Sequence, residues 1–160
     1  MNYQARSTRN RQAGASTVEF ALVSALFLLL FMATIEIGRA MFTYNVLTES
    51  TRMGARAAAV CAVQSDNIAK SALFNNMKLI PDLKAAHVNV SYLDANGAVV
   101  PNPSPGNAEG FMNVRYVQVS IRGYTLHLMI PGFGSITLPP FTTTLPRESL
   151  GIVPSEASGC

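Results

Sequence analysis

The groups in this chain best placed to do chemistry are Gly14, Ala15 and Glu19. Glu19 stands at the mouth of a long apolar run, and residues 20–35 (FALVSALFLLLFMATI) carry no charge. A carboxylate inside a bilayer costs on the order of 2.5 kcal/mol or more unless it has a partner. Hydrolysis of the peptide bond after Gly14 would create one. The new α-amino group on Ala15 lies four residues before Glu19, a spacing that puts both on one helix face. Amine and carboxylate can then pair within one subunit, or between two subunits packed side by side where neither charge is hydrated. The chemistry expected is a cut made in this chain, followed by ion pairing.

Groupings that would catalyse a reaction are scarce. His87 and His127 both lie in strand-like text, far from any Cys or acidic cluster, and read as strand-face residues rather than ligands. No zinc-ligand spacing, P-loop or nucleophile elbow occurs. Gly132-Phe133-Gly134 lacks the following helix and lysine that phosphate binding needs, so it reads as a turn. Asn89-Val90-Ser91 fits a glycosylation sequon by accident. The chain is expected to be no enzyme and to need no cofactor or metal. Cys61 and Cys160 are the two cysteines. An internal bridge, free thiols and a bond to a partner all stay open for them; a bridge would close most of the region beyond the apolar run.

The elements that must position these groups follow from hydropathy and charge. The chain has 160 residues, 49% hydrophobic and 13% charged, enough for one helix and one modest domain. Arg6, Arg9 and Arg11 give the first fourteen residues a charge of +3, and the nine basic and nine acidic residues that remain cancel. A pI near 9.1 therefore points to no nucleic-acid partner. The basic tail predicts a cytoplasmic N-terminus and a translocated C-terminal domain. Sixteen uncharged residues span about 24 Å as a helix, and residues 15–18 make up the difference to a hydrocarbon core of about 30 Å. That core is longer than a secretory signal's, and no good small-x-small cleavage site follows it.

No proline occurs before Pro81, so nothing stops the helix at the membrane surface. Asn45, Glu49, Arg52 and Arg56 make a polar stripe on the continuation, with Glu49 and Arg52 an i,i+3 pair. Gly54 and the alanines at 55, 57, 58 and 59 offer a smooth surface, for which the chain's own sheet is the favoured cover. Glu36 and Arg39, three residues apart, are expected to pair at the membrane exit. Beyond Gln64, a second helix is predicted over residues 68–80 and a strand over 87–93 ending in the turn Asp94-Ala95-Asn96-Gly97. Residues 101–110 read as an exposed loop and 114–129 as one long strand bent near Gly123. Pro131-Gly132-Phe133-Gly134 reads as a turn, and residues 136–145 as a last, edge strand interrupted by Pro139-Pro140. The fold class expected is α+β, a long N-terminal helix before a small antiparallel sheet. The domain plan is 1–14 basic leader, 15–38 transmembrane helix, 39–64 amphipathic continuation and 65–160 extracytoplasmic domain.

The stretch Gly14-Ala15-Ser16-Thr17-Val18-Glu19-Phe20 resembles the processing site of type IV prepilins, where a peptidase cuts after a glycine and leaves a glutamate five residues into the mature chain. Val18-Glu19-Phe20-Ala21-Leu22, Ile35-Glu36-Ile37-Gly38-Arg39-Ala40 and Thr51-Arg52-Met53-Gly54-Ala55-Arg56-Ala57-Ala58 narrow this. In that order around one apolar helix they are similar to the TadE/TadG-like minor pseudopilins of tight-adherence (Flp) pilus systems. Leu145-Pro146-Arg147-Glu148 also looks like that group. The resemblance implies a pilin-like fold, a location in the bacterial inner membrane or in a pilus, and assembly roles for Glu19 and Phe20. Implied partners are a prepilin peptidase, other pilin or pseudopilin subunits, the inner-membrane assembly platform and the lipid bilayer. An uncleaved periplasmic adaptor of the pilus machinery is the alternative.

Overall fold

The computed structural model describes residues 7–104, 106–130 and 132–152, with side chains from Gly14 onward. The element order is α1 (Ser7–Val60), α2 (Asp66–Ala72), a 3-10 turn (Ala85–His87), β1 (Val88–Leu93), α3 (Ala108–Asn113), β2 (Tyr116–Ile121), β3 (Thr125–His127), β4 (Ser135–Thr137) and β5 (Phe141–Pro146). The architecture is α+β: a long N-terminal apolar helix followed by a small antiparallel sheet region. By compactness the chain forms two units. The first joins α1 up to Ala40 with the segment Leu128–Gly134; the second contains everything described from Met41 to His127 and from Ser135 onward.

In the second unit α1 is two-faced. Asn45, Glu49, Arg52 and Arg56 are exposed, while Leu47, Ser50, Thr51, Ala55 and Ala58 are fully buried. The three-stranded sheet has the order β1-β2-β5, with Val90 opposite Val119 and Val119 opposite Thr143. Strand alternation puts Val117, Val119 and Ile121 on the buried face. The smooth patch on α1 lets that face come close. A Cβ on Gly54 would lie 2.9 Å from the Ala72 Cβ and 3.1 Å from the Val119 Cγ1. Hydroxyls add direction to this packing. Thr51 Oγ1 meets Thr143 Oγ1 at 2.9 Å, and Ser50 Oγ donates to the Ala72 carbonyl. The Tyr44 and Phe141 rings meet edge to face at 4.9 Å.

Four expectations need correction. The second helix is α2 alone; Ser65 caps its start, and positive φ at Phe74, Asn75 and Asn76 turns the chain away well before Pro81. The stretch 101–110 is not loop throughout, because Asn107 accepts from the Gly110 N–H and caps α3 from Ala108 onward. Residues 114–129 make two strands in different sheets, β2 in the main sheet and β3 paired with β4, separated at Arg122-Gly123-Tyr124. Residues 136–145 likewise split at Pro139-Pro140 into β4 and β5; β5 is an edge strand. The turn at Asp94 is formed as expected, its Oδ1 accepting from the Asn96 and Ala98 N–H groups.

The segment after β5 closes the end of α1. A helix leaves its last carbonyls without intrahelical partners, and here distant residues supply them. Glu148 and Leu150 N–H donate to the Ala59 carbonyl, and Gly151 N–H donates to the Val60 carbonyl at 2.7 Å. Arg147 donates to the Phe111 carbonyl at 3.0 Å and lies 5.9 Å from the centre of that ring. Beside this closure, Tyr92 accepts a hydrogen bond from the Gln64 N–H at 3.1 Å. Burial pushes the Tyr92 phenol above its usual range, against the lowering effect of that bond, so it stays neutral at physiological pH.

Gly151 carries the closest approach: at φ +79°, a Cβ would lie 2.6 Å from the Ala62 Cα and 2.7 Å from the Ala62 N. Gly97, at φ +82°, has open space in the same direction. Gly97→Ala should therefore cost only backbone strain, about 1 kcal/mol. Gly151→Ala should cost more, about 2 kcal/mol or above. Thermal unfolding followed by circular dichroism checks the order; equal losses would show that the closure at Ala62 is not tight.

Candidate functional site

α1 carries the residues singled out for processing and pairing. Gly14, Ala15, Glu19 and Phe20 are all exposed on it, and the helix runs from Ser7 across the Gly14–Ala15 bond without a break. Ala15 and Glu19 are one turn apart, about 6 Å along the axis. Around Glu19 the surface is apolar and uncovered: Val18, Phe20, Leu22 and Val23 are all more than half exposed. This is the one helix among the described residues long and apolar enough to cross a membrane, and its most apolar window is 6% buried. Glu19 makes no ion pair among the described residues. Its carboxylate is thus presented sideways from a bare helix, where a cation on a packed neighbour or on the same helix face can reach it.

Glu36 has the opposite surroundings. Although it lies on the same helix it is 7% exposed, and both of its oxygens accept from Arg39 Nη1, at 2.9 and 3.0 Å. One turn of helix brings the pair together, as the i,i+3 spacing requires. A third hydrogen bond comes from far along the chain: the Met129 N–H donates to Glu36 Oε2 at 3.3 Å. Charge-assisted bonds of this kind offset the desolvation of a buried carboxylate. The exposed pair Glu49 and Arg52 is looser, at 3.8 Å, and contributes less.

The contact with Met129 was not legible in the sequence, because 93 residues separate it from Glu36. A signal for the segment did exist: residues 123–146 contain no Asp, Glu, Lys or Arg. His87 accepts from the Lys84 N–H through Nδ1 and stacks edge to face near Tyr124, and His127 is exposed in β3. No group of three or more potential metal ligands occurs among the described residues. Cys61 is buried and disulfide-bonded. Cys160 lies outside the described residues.

Arg39→Ala would leave a buried carboxylate without its cation, whereas Arg52→Ala would remove only an exposed partner. Hydrogen exchange should accelerate at the Leu128–Gly134 amides in the first variant and stay unchanged there in the second. Equal exchange in both would show that Glu36 does not hold this segment.

No curated protein and no solved structure matches the chain. The described geometry at Gly14, Glu19, Glu36 and Arg39 falls inside a single family match. Residues 14–56 match the family described as TadE-like protein, a pilus-associated, structural kind of protein, and the match brings with it the tight-adherence pilus context.

Proposed function

We propose that this chain is a minor pilin or pseudopilin that takes part in assembling a Flp-type pilus and is processed after Gly14 by a prepilin peptidase. In this reading residues 1–14 are the cleaved leader, 15–38 span the inner membrane with the N-terminus cytoplasmic, 39–64 continue the helix, and 65–160 form the periplasmic domain. The reading is carried by Glu19, an exposed carboxylate on an otherwise apolar, uncovered helix. Left alone in lipid that group is costly; paired with the Ala15 amine of its own or a neighbouring subunit it becomes a register mark, because only one axial offset joins the charges. Partners are then other pilin subunits and the membrane assembly platform, and the bilayer holds the chain until assembly.

A second reading has its own support. The backbone is helical on both sides of the Gly14–Ala15 bond, and a peptidase must unwind it before cutting. An uncleaved adaptor, resident in the membrane and scaffolding the pilus machinery, would keep that helix whole.

N-terminal sequencing of membrane-extracted protein separates the two: Ala15 as first residue is expected, and Met1 would reject processing. Gly14→Phe should leave a precursor about fourteen residues longer on electrophoresis, while a band of normal size would reject the cleavage position. Glu19→Ala should insert into the membrane and be processed but be lost from sheared surface pili. Unchanged recovery in pili would remove the pairing role. We also propose that Cys61 pairs with Cys160, tying the end of the chain to the foot of α1. Non-reducing electrophoresis should then show a faster monomer that slows on reduction, and a disulfide-linked dimer would overturn the internal pairing.

A further inference from the structure

We propose that the tip between β3 and β4, Leu128–Gly134, is a second membrane contact, an apolar finger seated in the interfacial layer of the bilayer beside the point where α1 leaves it. This rests on the reading above that α1 spans the membrane. Five observations carry it. The tip is bound to α1 at a defined height, because the Met129 N–H donates to Glu36. From Ala15 to Glu36 the helix rises about 31 Å, one hydrocarbon thickness, so Glu36 and the tip lie at the far boundary of the lipid. The tip then shows solvent its largest apolar groups, with Met129 at 61% and Phe133 at 69% exposure.

Charge is absent over the whole arm. Residues 123–146 hold no Asp, Glu, Lys or Arg, where the chain's 13% charged content would place about three. The backbone is also prepared for a medium poor in water: Leu128 N–H donates to the Gly134 carbonyl, Phe133 N–H to the Ile130 carbonyl, and Met129 N–H to Glu36. Non-helical backbone at membrane depth requires such internal partners. An apolar patch of this kind on a water-facing arm would be a liability; against lipid it adds buried apolar area to the anchor.

The chain contains no tryptophan, so single indoles report cleanly. The full chain is reconstituted in phosphatidylcholine vesicles carrying bromines either near the headgroup end or near the methyl end of the acyl chains. Three variants are compared: Phe133→Trp in the tip, Phe27→Trp in the middle of the apolar run, and Val99→Trp at an exposed position of the turn after β1. F133W should emit to the blue of V99W and lose intensity chiefly to the shallow bromines. F27W should lose intensity chiefly to the deep ones, and V99W to neither. If F27W is quenched and F133W behaves like V99W, the finger is wrong while the spanning helix stands. If F27W is not quenched, the spanning reading fails and the finger with it. Blue emission from F133W that is insensitive to bromine would mean that a second copy of the chain covers the tip, which also overturns the proposal.

Discussion

The small-residue face of α1 is the constraint on which the fold of the second unit depends. A helix presenting Ser50, Gly54, Ala55 and Ala58 has almost no side chain between its backbone and its neighbours, so Val119 and Ala72 come to the distance at which a single added carbon would collide. Dense packing at that distance fixes the height of β2 over the helix, and β2 in turn fixes β1 and β5 through its two antiparallel ladders. Hydroxyls supply what apolar contact lacks, which is direction. Thr51 on Thr143 and Ser50 on the Ala72 carbonyl hold the sheet and α2 in register on a surface too smooth to do so alone.

Two carboxylates on this helix illustrate two solutions to one problem. Glu36 is resolved within the chain, by Arg39 one turn away and by a backbone N–H from a remote turn. Glu19 is left exposed among exposed apolar neighbours on the same helix. A group that a protein could have paired locally but did not is a candidate for pairing with something else, which is the physical content of the assembly reading. The TadE-like match over residues 14–56 spans both carboxylates and the small-residue face down to Arg56.

How much was legible depended on the range of the interactions. The apolar run, the polar stripe through Asn45, Glu49, Arg52 and Arg56, the Glu36–Arg39 pair and the Asp94 turn are set by residues within four positions of one another, and each could be read from spacing. The breaks were harder. Alternation from Val114 through His127 looks the same whether β2 and β3 pair in one sheet or two, since strand periodicity says nothing about the partner. The short α3 was hidden because the proline-rich text before it suggested a loop, and Asn107 as a cap is one residue among many asparagines. The bonds of Glu148, Leu150 and Gly151 to α1 cross about ninety residues and leave no local trace. Together these bonds make residues 147–151 a lid on the helix end.

That lid imposes an order of events on biosynthesis. The carbonyls of Ala59 and Val60 leave the ribosome long before Glu148, Leu150 and Gly151 exist, and the outer strand β5 arrives just ahead of them. A nascent chain can form α1 early, since its bonds are local, yet its sheet lacks one edge and its helix end lacks its cover until β5 and residues 148–151 are made. The end of α1 therefore stays uncovered until residues about ninety positions further on have been made.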